Sequence, residues 1–255
     1  MTIFPEHNGV NPVVAEVVRS GLVESRHRGA VAGLAADGTQ VVSAGDTVVP
    51  FFPRSANKPL QATAMLRAGA ELDGELLALA AASHSGEDYH VDGVRKILSG
   101  AGLTEADLGC PPSWPLDLQT ARRLIARGEG MSRVRMNCSG KHAAMLATCV
   151  VNGWPTSSYL NPQHPLQQAI LRTVEELAGE RVPATGVDGC GAPLFALSDG
   201  RAGAVKIDDG AHRGRTPVTV AVLRVLGAAV PAELATVPVI GGEAEVGVIR
   251  ATAIG

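Results

Sequence analysis

The chain is bracketed by β-forming segments and filled with helix-forming ones, and this order restricts its possible folds more than any other feature. Pro12–Val18 is rich in β-branched residues, and Gly29–Ala35 and Gln40–Ala44 flank Ala36-Asp37-Gly38-Thr39, whose Asp-Gly pair is a hairpin signal. From Pro59 the pattern turns helical, with Leu60, Ala64, Met65 and Leu66 available for one apolar face. Glu71–Ala82 reads as a second, very apolar helix and Asp88–Leu98 as a third, ended by Gly100. Thr104-Glu105-Ala106-Asp107 has near-capping-box spacing for a short fourth. Helices are expected at Leu118–Arg127, at Lys141–Val151, and at His164–Leu177, which opens after Asn161-Pro162 and stops at Gly179. Strand character returns in Ala184–Val187 and Ala202–Ile207, Pro217–Leu226 is helical, and Val239–Ile254 reads as strand. The expected architecture is α/β or α+β in one domain spanning 1–255. Its sheet comes from about 12–50 and 184–255, and a helical region of about 59–178 is inserted between them. The regular alternation of a doubly wound sheet is missing, and no GxGxxG runs from a strand into a helix, so a dinucleotide fold has no support.

Composition narrows the function classes. Of 255 residues, 22 are basic and 25 acidic, and the resulting charge of −3 gives no reason to expect nucleic acid or a membrane surface as partner. Hydrophobic residues make up 45% and charged ones 18%, the balance of a globular protein. Aromatics are only 3%, so the core has to be built from Ala, Val and Leu. The longest apolar run, Leu76–Ala82, is far too short for a membrane span. The opening MTIFPEHNG lacks a basic stretch followed by an apolar one, so a cytoplasmic protein is expected.

Only four lysines occur, at 58, 96, 141 and 206, against 18 arginines. A genome that favours Arg would replace a merely solvating Lys, so each remaining lysine draws interest. Lys58 lies three residues after Ser55 in PRSANKPLQ, where a strand-like segment runs into a helix. On a first helical turn that spacing puts both side chains on one face, where an amine with a lowered pKa takes the hydroxyl proton. The helix N-terminus adds positive potential there, and S-x-x-K is the nucleophile motif of penicillin-recognising serine enzymes. A helix-capping serine beside a solvated lysine remains the alternative. ASHSGED, containing Ser83, ends the apolar helix as either a surface turn or a pocket wall.

Cys138 in MNCSGKH stands at a helix start, and Cys190 in VDGCGAP stands in a glycine-rich turn after a strand. Both settings favour a nucleophilic or metal-ligating thiolate, with incidental thiols as the alternative. The spacing forms no CxxC pair and does not by itself indicate a zinc site. Cys149, in LATCVV, reads as a small core residue, and Cys110 carries no visible function. A disulfide scaffold is not expected in a chain of this size.

Taken in order, PRSANKPLQA, ASHSGED, NCSGKHAAML, DGCGAP and VKIDDG resemble the L-asparaginase II family of the rhizobial, thermolabile type, as does VVRSGLVESRHRGAV. The likeness covers residues 12–198 almost continuously and resumes from about Asp199. It implies a fold similar to serine β-lactamases and glutaminases, and hydrolysis of L-asparagine to aspartate and ammonia. By resemblance, Ser55 and Lys58 are a nucleophile–base pair and Ser83 belongs to a second serine–lysine pair. Arg54 and Asp188 match positions lining the substrate pocket. Cys138, Lys141 and Cys190 match the ligands of a zinc ion that orients substrate, and a homodimer is implied. A β-lactam or peptidoglycan acyl-transfer enzyme shares S-x-x-K, but neither S-D-N nor K-T-G occurs. A non-catalytic relic that binds zinc or an amino acid is the remaining class.

The chain departs from the family in one place. After the helix that follows DGCGAP, the family continues for several dozen residues and reaches a strand with a Lys-x-Gly-Ala pattern. Here Leu194–Ser198 runs directly into Asp199 and on to VKIDDG, with no Lys-x-Gly-Ala anywhere. Ser83 is therefore expected to lack its lysine, and the chain to be weakly active or inactive.

Overall fold

The structure is a computed structural model and describes residues 11–35, 37–197, 204–207 and 212–252. The fold is α+β, and the chain divides into two compact units. One comprises Met1–Pro50 with Ser198–Gly255, and the other Phe51–Leu197.

The first unit is built on an antiparallel sheet. β1 (Val13–Arg19), β2 (Leu22–Leu34) and β3 (Gln40–Ala44) come from its N-terminal segment. β6 (Ala204–Ile207), β7 (Thr236–Gly241) and β8 (Ala244–Ala251) come from its C-terminal one. Five strands run in the order β3-β2-β1-β8-β7. β2 is long enough to serve three neighbours, pairing its first half with β1, residues Gly29–Ala32 with β6 and residues Val31–Leu34 with β3. The Asp-Gly turn closes β2 onto β3: Asp37 Oδ1 accepts from Thr39 N at 2.9 Å, and Gly38 takes a φ of +84°. Ala36 lies outside the described residues, as do Ala202 and Gly203 of the expected strand and Asp208-Asp209-Gly210 of VKIDDG. The expected C-terminal strand is a β7–β8 hairpin, because Gly241-Gly242 turns the chain and Gly242 takes a φ of +65°. Helix α7 (His212–Val225) begins five residues before the expected Pro217, which falls inside it. Its Val218 and Val222 pack with Val14, Val31, Val42 and Ile207, a β-branched core matching the scarcity of aromatics.

The second unit is helical: α1 (Lys58–Arg67), α2 (Gly74–Ala80), α3 (Asp88–Gly100), α4 (Leu118–Ala126), α5 (Ser139–Val151) and α6 (Pro165–Ala178). Local chemistry sets their ends. Asp117 caps α4 by accepting from Thr120 N at 2.6 Å, and His164 caps α6 by accepting from Leu166 N at 3.1 Å. Pro165 opens α6, and Gly179 closes it with a φ of +68°. Thr104 and Asp107 form the capping box, but on a single 3-10 turn. α5 is the central element, buried from Ser139 to Leu146 and again at Thr148 and Cys149. Its Met145, Leu146 and Cys149 join Met65, Leu98, Leu166 and Ile170 in the largest core. Gly140 lets α5 meet the end of α2 backbone to backbone, since a Cβ there would lie 2.6 Å from Leu79 O.

One strand expectation is corrected. β4 (Thr185–Val187) does not join the large sheet but pairs with β5 (Pro193–Phe195) as a separate hairpin. The turn between them folds the chain straight back: Asp188 N donates to Ala192 O at 2.9 Å, and Gly191 takes a φ of +86°. The ends of this unit are joined as an antiparallel bridge, Phe51 N to Leu197 O at 2.9 Å and Leu197 N to Phe51 O at 3.0 Å.

Candidate active site

Three sequence segments converge within the helical unit. Arg54 and Ser55 lie in a 3-10 turn, Arg54–Asn57, that leads into α1. Arg54 takes a left-handed φ of +53°, an unusual conformation for a side-chain-bearing residue and strained by about 1–2 kcal/mol. The turn is held from behind, because buried Asn57 donates through Nδ2 to Phe195 O at 3.0 Å. Cys138 precedes α5 and Lys141 sits in its first turn, while Asp188 and Cys190 belong to the β4–β5 turn. Together these side chains line a cavity of about 170 Å3, which contains every site residue expected from the sequence except Ser83.

Ser83 meets the others by hydrogen bonds. Lys58 Nζ donates to Ala82 O at 2.6 Å and to Ser83 Oγ at 2.8 Å, and Ser83 Oγ donates to Ser55 Oγ at 3.0 Å. This amends two expectations. Ser55 and Lys58 do not share one α-helical turn, and their link runs through Ser83. Ser83 in turn does not lack a lysine, because Lys58 reaches it from the start of α1. Lys58 is 3% exposed. Burial pulls its pKa below the ordinary lysine value, against the opposing pull of the Cys138 thiol.

Ser83 is held by its neighbour. His84 N donates to Asn137 O at 3.1 Å, tying this segment to the one that carries Cys138. Ser139 Oγ gives its proton to Val134 O at 2.7 Å, so the 2.8 Å contact between Ser139 Oγ and His84 Nε2 has the imidazole as donor. Burial pushes the His84 pKa down to about 4, helped by His90 and Lys58, which keeps the ring neutral.

On the other side, Lys141 is 1% exposed and donates to Asp188 Oδ2 at 2.8 Å and to Cys190 Sγ at 3.3 Å. Burial lowers its pKa, but its interactions with Cys190, Asp188 and Cys138 outweigh that and raise it overall. Asp188 works against burial too. The Lys141 charge and bonds from Cys190, Lys141 and Ala192 keep its carboxyl below the ordinary range. Cys190 Sγ lies 2.9 Å from Asp188 Oδ1, and Cys138 lines the same cavity. The neighbouring Cys190 thiol and the Lys58 and Lys141 charges make Cys138 the thiol that ionises readily, with a pKa of about 6, while Cys138 and burial push the Cys190 thiol up. All four cysteines are free. Cys149 is fully buried in the core, and burial raises both its pKa and that of Cys110 to about 11, as for inert thiols.

A sequence model of the L-asparaginase II family matches residues 15–200. The chain belongs to that family. No curated protein matches it. In this asparaginase II chain the match takes in the whole helical unit and therefore every residue of the cavity. Gln61, Met136 and Asn137 also line the cavity and were not singled out from the sequence. Their position inside the PRSANKPLQ and MNCSGKH segments was the available signal. Among the described residues no helix is long and apolar enough to cross a membrane.

Soft thiols and an amine gathered in one buried spot are a donor set suited to zinc once the thiols and the Lys141 ammonium give up their protons to the incoming metal. Cys138, Lys141 and Cys190 provide that set, with the Asp188 carboxylate against two of them. Among the described residues no group of three or more His, Cys, Asp or Glu side chains is arranged to hold a metal, so a site here depends on the lysine nitrogen.

Proposed function

We propose that the chain hydrolyses the side-chain amide of L-asparagine, with Ser55 as the nucleophile. The reading is carried by the hydrogen-bonded chain Ser55–Ser83–Lys58 beside a cavity small enough for a single amino acid. With Lys58 neutral, its lone pair accepts from Ser83, and Ser83 accepts from Ser55. Attack on the amide carbon forms the Ser55 Oγ–C bond and sends one proton along this chain to Lys58. When the C–N bond breaks, Ser83 protonates the departing nitrogen and is refilled from Lys58. Water then releases aspartate from Ser55 by the same proton path. Arg54 lines the cavity and supplies a charge suited to the substrate carboxylate. Asp188 supplies the opposite charge for the ammonium group. Cys138, Lys141 and Cys190 would hold zinc, and a bound zinc would supply a fixed positive charge that orients the substrate.

Turnover is expected to be weak, because the family's second lysine is missing and Lys58 serves both serines. Ammonia release from L-asparagine is expected to be slow in this chain. It should rise at least about tenfold, some 1.4 kcal/mol of barrier, when the family's missing segment is inserted between Ser198 and Asp199. Equal rates would mean that one lysine suffices, and no release from either protein would overturn the amidohydrolase reading.

Elemental analysis of the purified protein is expected to find up to one zinc per chain, strongly reduced in Cys190→Ser. Equal zinc in wild type and variant would remove Cys190 from the ligand set.

A further inference from the structure

Ser83 is exposed and lies between two spaces, bonded to residues of one and lining the other. Its hydroxyl bonds to Ser55 and Lys58, and its side chain also lines a cleft of about 750 Å3 between α2 and α3, several times larger than the 170 Å3 cavity. Leu76, Ala78 and Leu79 of α2 form one wall, and Tyr89, His90 and Asp92 of α3 form the other. Tyr89 and His90 present adjoining rings, with centroids 4.0 Å apart. The reaction needs neither this volume nor its apolar and aromatic walls if ammonia is the sole leaving group.

The proton donor fixes where a leaving group sits. Resting on the asparaginase reading above, the departing nitrogen takes its proton from Ser83 Oγ and so lies against that hydroxyl. A substituent on the nitrogen then extends past Ser83, where the cleft opens. We infer that the α2–α3 cleft is a leaving-amine subsite, and that the chain cleaves asparagine derivatives whose amide nitrogen carries an apolar or aromatic group. The bond changes balance as for asparagine. Ser55 Oγ bonds to the carbonyl carbon, the C–N bond breaks with its electron pair on nitrogen, and Ser83 supplies the proton. A free arylamine or alkylamine leaves in place of ammonia.

The test uses L-aspartic acid β-anilide, with L-asparagine as the companion ligand, on the full 255-residue chain. Calorimetry is expected to show the anilide binding at least about tenfold more tightly than asparagine, from burial of the ring in the cleft. Ala78→Trp fills the cleft from an exposed position on α2, and Asp92→Trp fills it from α3 should the first variant fold poorly. Either is expected to cancel the anilide's advantage while leaving asparagine binding and hydrolysis unchanged. Anilide affinity that is unaltered by both tryptophans, or weakened equally with asparagine, overturns the subsite whether or not asparagine is turned over. Failure of the chain to hydrolyse asparagine, with the cleft effect on binding intact, overturns the amidohydrolase reading and with it the leaving-amine role, and leaves the cleft as a binding site for the aryl group alone.

Discussion

Replacing Ser55 with alanine is expected to lower asparagine turnover by at least about a thousandfold, and Lys58→Met by a similar factor. The two residues are the ends of one proton path, so their losses should not add, and the double variant is expected to be no slower than either single one. Ser83→Ala cuts that path in the middle, because Lys58 and Ser55 are each bonded to Ser83. Its loss should approach that of the ends. Ammonia release by the three single variants and the double variant, read beside circular dichroism to establish folding, checks the set. A Ser83→Ala protein with near-wild-type turnover would mean that Lys58 acts on Ser55 directly, and near-full activity in Ser55→Ala would place the nucleophile elsewhere.

Gly140→Ala is expected to destabilise the helical unit strongly for a one-carbon change. The added methyl would lie 2.6 Å from Leu79 O and 2.8 Å from Leu79 Cγ, and α5 has no slack because it is buried along its length. A carbonyl at the end of a packed helix cannot rotate away as a flexible side chain would. A loss on the order of 2–3 kcal/mol is therefore expected, despite the better helix propensity of alanine. Gly100→Ala is the matched control. It ends α3 with no atom within 4 Å of the added Cβ, and should be neutral or slightly stabilising. Denaturant midpoints of the two variants decide the matter. Equal midpoints would show that α2 and α5 are not in backbone contact.

Much of this helical unit was legible because its boundaries are local events. His164-Pro165 and Gly179 frame α6 by a cap, a fixed φ and a left-handed stop, all encoded within a few residues. The helix expected from Glu71 begins instead at Gly74, which takes a φ of +46° after an extended Asp73. Apolar content suggested the longer span and could not locate that turn. The strand expected at Ala184–Val187 falls outside the large sheet for a different reason. A short apolar strand reads identically whichever sheet accepts it, and only the return at Asp188–Ala192 decides. Within the candidate site, the motifs delivered Arg54, Ser55, Lys58, Ser83, Cys138, Lys141, Asp188 and Cys190, because chemically demanding residues cluster in short recognisable strings. Their wiring was not legible. The contact of Lys58 with Ser83 spans 25 positions and that of Lys141 with Asp188 spans 47, distances over which no local pattern operates.

The paired ends at Phe51 and Leu197 make the helical unit a cassette. A segment whose first and last residues already bond to each other pays its closure entropy once, independently of the chain outside it. Segments beyond Leu197 can therefore lengthen or shorten over evolutionary time without re-threading a single helix around Ser55. The same adjacency would let the unit be circularly permuted, its two ends joined by a short linker and the chain reopened at the exposed Gly128-Glu129-Gly130 turn. Every residue of the 170 Å3 cavity would stay on one continuous permuted chain.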